Sequence, residues 1–171
     1  GGISASFSAK GRIDDVQDLS GYLIFNGKAL ARNRDALTRL LNDVFHGARF
    51  DETERVRELV AQIRARREQA VTGSGHALAM GAASQGMSPG AWLSFRIGGL
   101  EAIRGTKTLD KSLNEAGELE AFCSRLAALH AKVRKQAREF LIIGEEDQLD
   151  PMLEGLRTCW APAEAAITEK W

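Results

Sequence analysis

A chain of 171 residues is long enough for one large domain, or a domain and a short tail, and can bury a core without disulfide or metal staples. Its 44% hydrophobic and 27% charged residues are ordinary for a globular protein. Twenty-three basic residues balance 23 acidic ones, so no net field draws it to nucleic acid or anionic lipid, and neither is an expected partner. No window approaches the ~18 continuous apolar residues of a membrane span. Residues Gly1 to Lys10 are neither basic-then-apolar nor Met-initiated, so no signal peptide is read there. A start at Gly1-Gly2, already inside a strand pattern, suggests a piece of a longer protein.

Ile3, Ala5, Phe7 and Ala9 alternate with Ser4, Ser6, Ser8 and Lys10, the period of a strand with one buried face. After a polar run, Tyr22-Leu23-Ile24-Phe25-Asn26 is apolar on both faces, as a central strand would be. Leu37, Leu40, Leu41, Val44 and Phe45 then form a helical stripe, with Asn33 as N-cap and His46-Gly47 at the end. Asp51 with Glu54 reads as a capping box opening a helix striped by Val56, Leu59, Val60 and Ile63. That helix should run to about Val71, where Gly73-Ser74-Gly75 bends or breaks it. From His76 to Gln85 the residues are mostly small. Ser88-Pro89 marks an N-cap and first helical position, and the helix so opened carries Trp92 and Phe95 and stops at Gly98-Gly99. Leu119, Phe122, Cys123, Leu126, Leu129 and Val133 stripe a long helix over about 115–136. Glu139 to Ile143 reads as a third strand, and Asp150-Pro151 as the start of a last helix that Pro162 interrupts. Strands and helices are segregated. The fold class is therefore α+β: a small, largely antiparallel sheet of Ile3–Ala9, Tyr22–Asn26 and Glu139–Ile143, with the 37–45 and 119–133 stripes packed on it.

Catalysis needs convergent acids, bases, nucleophiles or metal ligands. The histidines, His46, His76 and His130, stand in neither His-x-x-Glu-His nor His-Glu-x-x-His, the spacings that place two imidazoles around a zinc. Cys123 and Cys159 form no Cys-x-x-Cys pair; they could make one disulfide, but two buried thiols in a reducing compartment is the expectation. Gly86-Met87-Ser88-Pro89-Gly90 matches the Gly-x-Ser-x-Gly elbow of serine hydrolases. An elbow needs a strand before it and a backbone N–H after the serine, and Pro89 has none, so Ser88 reads as a helix cap. In Gly73-Ser74-Gly75-His76, Ser74 or His76 could polarise a substrate. No third, orienting group stands beside them, and a helix kink with Ser74 as a cap is the simpler reading. Arg64, Arg66 and Arg67 could bind an anion but read as a solvated basic face beside Glu68. Trp92 and Phe95 suit core or interface packing more than ligand stacking, and Met80, Met87 and Met152 form no stripe.

Several elements in this order carry a resemblance. They are Gly1-Gly2-Ile3-Ser4-Ala5-Ser6, Asn26-Gly27-Lys28-Ala29-Leu30 before a helix, Phe50-Asp51-Glu52-Thr53-Glu54-Arg55 leading through Arg64-Ala65-Arg66 to Gly73-Ser74-Gly75-His76, then Gly90-Ala91-Trp92 and Gly98-Gly99-Leu100. Together they resemble the associated domain that opens the second half of insulinase-type (pitrilysin-type) zinc metallopeptidases of the presequence-protease branch. The resemblance implies a metallopeptidase-like α/β roll over residues 1–145, with 146–171 a C-terminal helix and linker toward a last domain. It implies a parent enzyme of four related domains in two halves that close around a chamber where unstructured peptides are cut. Zinc and the catalytic glutamate would lie in the parent's first domain. This chain would supply scaffold, chamber wall and contacts to the remaining domains. No residue here is assigned to catalysis, metal or cofactor, and the chain alone is expected to be inactive. The alternative is a domain of a catalytically inactive structural or binding subunit related to these peptidases. The expected compartment is the cytoplasm in a bacterium or an organelle matrix in a eukaryote.

Overall fold

The structure, a computed structural model, describes residues 2–160. A two-stranded antiparallel sheet pairs β1 (Gly2–Gly11) with β2 (Leu19–Lys28). A single 3-10 turn, Ala31–Asn33, leads into α1 (Arg34–Gly47). Then come α2 (Thr53–Ser84), α3 (Pro89–Gly98), α4 (Leu100–Ser112), α5 (Glu118–Val133) and α6 (Glu146–Cys159). The class is α+β, as the segregated pattern implies. The chain divides into two compact units, one of residues 2–7, 23–49 and 128–160, the other of residues 8–22 and 50–127.

In the first unit, α1 lies on β2. A Cβ on Gly27 would fall 2.5 Å from Leu37 Cδ1 and 3.3 Å from Ile3 Cγ2, so the Leu37 side chain fills the space over Gly27 that another residue's Cβ would take. Phe45, one helical turn beyond Leu41, is buried and meets Phe25 of β2 edge to face at 5.5 Å between centroids. Helix α6 packs along α1, with Arg34 Nη1 donating to Gln148 Oε1 at 2.9 Å. Leu37 and Phe45 of the 37–45 stripe thus meet the sheet as expected, while Leu40 and Val44 of the same stripe are exposed.

In the second unit the core is built by helices. Val60 of α2, Leu113 just past α4, and Leu119 and Cys123 of α5 form one buried cluster, flanked by Val56, Leu109 and Phe122. Leu113 is the most enclosed, 1% exposed. The expectation that the 119–133 stripe packs on the sheet is corrected here: its buried members, Leu119 and Cys123, lie against α2 and the α4–α5 turn. The stripe is amphipathic in the expected way, but periodicity says which face is buried and not against what.

Three further expectations change. Glu139–Ile143 is not a strand: the backbone there is irregular, and Leu141 and Ile143 are 86% and 83% exposed. An apolar run marks a segment that gains by burial, and a strand also needs a neighbour with a free edge; no strand pairs with it among the described residues. For the same reason β2 is not central, since a sheet of two strands has no interior strand. The last helix opens at Glu146 with Asp147 in its first turn, where carboxylates suit the positive end of the helix, and Pro151 lies inside it. Pro162 lies outside the described residues. Helix α4 fills 100–112, a segment that carries no stripe of large apolar residues to announce it.

Candidate functional site

The Gly-Ser-Gly-His segment falls inside α2. Ser74 alone has non-helical torsions there, φ −121° and ψ 15°, so the glycine-flanked serine is a kink in one 32-residue helix. Both Ser74 and His76 are exposed. Two helical stretches meet across this kink, and the Ser74 side chain makes no capping hydrogen bond to the second of them. The cap role expected for Ser74 is therefore not seen.

Ser88 does cap. Its torsions are extended, its Oγ accepts from Ala91 N at 3.1 Å, and Pro89 occupies the first helical position of α3. The segment before it is the end of α2 and a turn closed by Met87 N to Ser84 O at 3.0 Å, not a strand. The hydroxyl that a hydrolase would use as a nucleophile thus accepts from a free amide in the first turn of a helix.

The arginine cluster separates. Arg67 Nη1 donates to Ala102 O at 2.9 Å and to Thr106 Oγ1 at 2.6 Å, and Nη2 donates to Ile97 O at 3.1 Å. One guanidinium thereby ties α2 to the end of α3 and the first turns of α4, using the planar fork of donors that only arginine offers. Arg64 Nε lies 3.3 Å from Asp110 Oδ2. Arg66 remains exposed. Two of the three cations are thus engaged within the fold. Periodicity missed this network because Arg67's partners lie 30 to 39 residues further on.

A second grouping was also missed. Phe45, Trp160 and Phe140 pack in series, with centroids 5.5 Å and 5.4 Å apart. The Arg138 guanidinium stands 5.2 Å over the Phe45 ring and 5.9 Å over Trp160. His130 Nε2 donates to Phe45 O at 2.7 Å, and His46 meets Phe45 edge to face. Burial, then the nearby Arg134, Arg138 and His130, hold the His46 pKa below its ordinary value. The residues span positions 45 to 160, so no local motif could have announced them. Both cysteines are free; burial, then Glu120, raises the Cys123 thiol pKa.

Chemically, these groups pack and cap. Among the described residues no three of His, Cys, Asp and Glu stand together so as to hold a metal ion, and no helix is long and apolar enough to cross a membrane. What stands out is bare apolar surface. Phe7, Leu40, Met80, Met87, Trp92 and Ile97 are all exposed, and Trp92, at 52%, is covered on one side by Arg96, 5.5 Å from its ring.

Comparison with known proteins gives a consistent direction. A family model described as Peptidase M-16C associated matches residues 1–109. Presequence protease 1, chloroplastic/mitochondrial, of Arabidopsis thaliana is 32% identical over 96 residues, which is 56% of this chain and 9% of that protein. The mitochondrial presequence protease of Danio rerio is 31% identical over 112 residues, 64% of this chain and 11% of that protein. That of Gibberella zeae is 27% identical over 147 residues, 84% and 14% respectively. The chain thus spans about a tenth of the length of the curated relatives it matches. No solved structure matches.

Proposed function

The chain belongs to the family of domains associated with M-16C peptidases, and from that premise we propose that it is a non-catalytic scaffold and chamber-wall domain of a zinc metalloendopeptidase that degrades unstructured peptides. The observation that carries the reading is the thinness of the core against the apolar surface left outside. Among the described residues six hydrophobic side chains are buried, while Trp92, Met87, Ile97, Leu40 and many others of that size are exposed. Surface of this kind marks docking against other protein. The partners are the remaining domains of the same polypeptide and, in the closed chamber, a peptide substrate. In this reading the zinc and its activating glutamate belong to another domain, and the polar groups here serve the fold: Ser88 caps α3, Arg67 ties three helices and His130 donates to Phe45 O. An organelle matrix is the compartment that the names of the plant, fish and fungal relatives support.

The complete reading frame and a peptide assay test this together. A His-x-x-Glu-His motif upstream, full cleavage by the whole protein and none by this chain alone are the expected results. A whole protein without that motif and without activity would make the domain part of a structural subunit. Chelator-sensitive cleavage by this chain alone would overturn the scaffold reading.

A further inference from the structure

The hairpin has an open side. The hydrogen bond from Arg12 N to Asp18 O, 3.0 Å, makes those residues a bonded pair beyond two strands of ten residues each. Continued two residues at a time, the same pairing joins Ser6 to Ile24 and Ser4 to Asn26. The intervening residues, Ile3, Ala5 and Phe7, therefore aim their N–H and C=O groups away from β2. The position of Ile3 opposite Gly27 agrees with this register.

No other strand among the described residues takes up those groups. The edge also lacks the devices that natural sheets use to protect one. Gly2–Gly11 contains no proline, no acidic residue and a single lysine, Lys10, near its end. Residues 2–7 are all exposed, and on the face that α1 approaches, Ile3 and Phe7 remain 37% and 53% uncovered. A hollow of about 330 Å³ lined by Gly2, Ile3, Ser4, Asn26, Gly27 and Lys28 sits at the base of the same hairpin.

We propose that the outer edge of β1, at Ile3, Ala5 and Phe7, receives a β-strand from another part of the same longer polypeptide, so that the sheet is completed only in the whole protein. This rests on the reading of the chain as one domain of a larger peptidase, which the matched relatives support, since the matched segments make up only 9% and 11% of their length. Chain of that length outside this domain makes an intramolecular strand the favoured occupant, because a tethered segment meets the edge at a high effective concentration. The incoming strand would place apolar side chains beside Ile3, Ala5 and Phe7, and small or polar ones beside Ser4 and Ser6. Main-chain hydrogen bonds would hold it, and the alternate side chains would choose it.

Residue-resolved amide hydrogen exchange on the protein encoded by the complete reading frame tests the edge, while the peptidase assay above independently tests the larger reading. Ser4 and Ser6, paired to β2, serve as the protected reference, and Ile13 and Asp14 of the exposed turn as the unprotected one. The expected result is that Ile3, Ala5 and Phe7 exchange as slowly as Ser4 and Ser6, at least 100-fold slower than Ile13. Exchange at the rate of Ile13, in a protein that cleaves peptides, overturns the proposal and leaves the peptidase reading standing. Protection that appears only as protein concentration rises also overturns it, because the occupant is then a second copy. Ala5→Pro removes an outward N–H and no bond to β2. It should speed exchange at Phe7 at least tenfold with Ser6 unchanged, and unchanged Phe7 protection would mean cover by something other than a strand.

Discussion

Ser74 and Ser88 carry the same hydroxyl into opposite surroundings. Ser88 accepts from Ala91 N and starts α3, whereas Ser74 stands exposed at the kink of α2. Ser88→Ala should therefore lower unfolding free energy by about 1 kcal/mol, the usual worth of an N-cap. Ser74→Ala should stay within about 0.5 kcal/mol, as for exposed positions generally. Urea denaturation of the two variants side by side checks both, and a larger loss at Ser74 would give that hydroxyl a role that its surroundings do not show. Gly99 is constrained more severely, because a Cβ there would meet Phe95 O at 2.7 Å and Phe95 Cδ2 at 2.8 Å. Gly99→Ala must displace the end of α3 or the start of α4, and overpacking of this kind costs about 1–3 kcal/mol. The same denaturation series reads it as a lower midpoint at unchanged slope.

At the level of elements, two side chains hold helices together through unlike physics. Arg67→Met keeps an apolar stem but removes the donors to Ile97 O, Ala102 O and Thr106 Oγ1, so α2 loses its tie to α3 and α4. A loss of about 1–3 kcal/mol is expected, the usual cost of deleting a charged donor that serves several acceptors. His46 works through its charge state. Its pKa is depressed in the folded chain, so the stability it contributes is present above the unfolded value of about 6.5 and is lost as pH falls through the folded value. Melting temperature should fall on acidification from pH 7.5 to 5, and His46→Gln should flatten that decline; an unchanged slope would exclude His46 as its source. Elements with local signals were legible in the sequence: the serine alternation of β1, the Ser88-Pro89 start of α3, and the apolar stripe and His46-Gly47 end of α1. Helix α4 was not. Gly105, Thr106 and Thr108 dilute its propensity, and the residue it buries is Ala102, too small to register in a stripe of large apolar side chains. The 139–143 segment failed for the opposite reason, its apolar run being clear and its pairing partner being no local property. The site candidates followed the same division: the capping role of Ser88 could be read in four residues, and the Arg67 tie could not.

For the molecule as a whole, the exposed apolar surface has a direct consequence in solution. The chain by itself should bind an apolar-surface dye at neutral pH and associate as its concentration rises, with sedimentation velocity as the check. Metal analysis after dialysis should find no one-to-one zinc, because among the described residues His46, His76 and His130 are not gathered with carboxylates or thiols into a ligand set. The long α2 carries one more implication, which concerns the time before the fold exists. Val60 is buried by Leu113, Leu119 and Cys123, and Arg67 is satisfied by residues 97 to 106. On a ribosome adding about 5–20 residues each second, Val60 waits roughly 3–13 s for Cys123 to be made. Throughout that interval a finished amphipathic helix has its apolar stripe in water and its central arginine without its final partners. The nascent chain therefore passes through a stage suited to capture by a chaperone, and slowing translation near residues 70–110 should raise the fraction lost to aggregation.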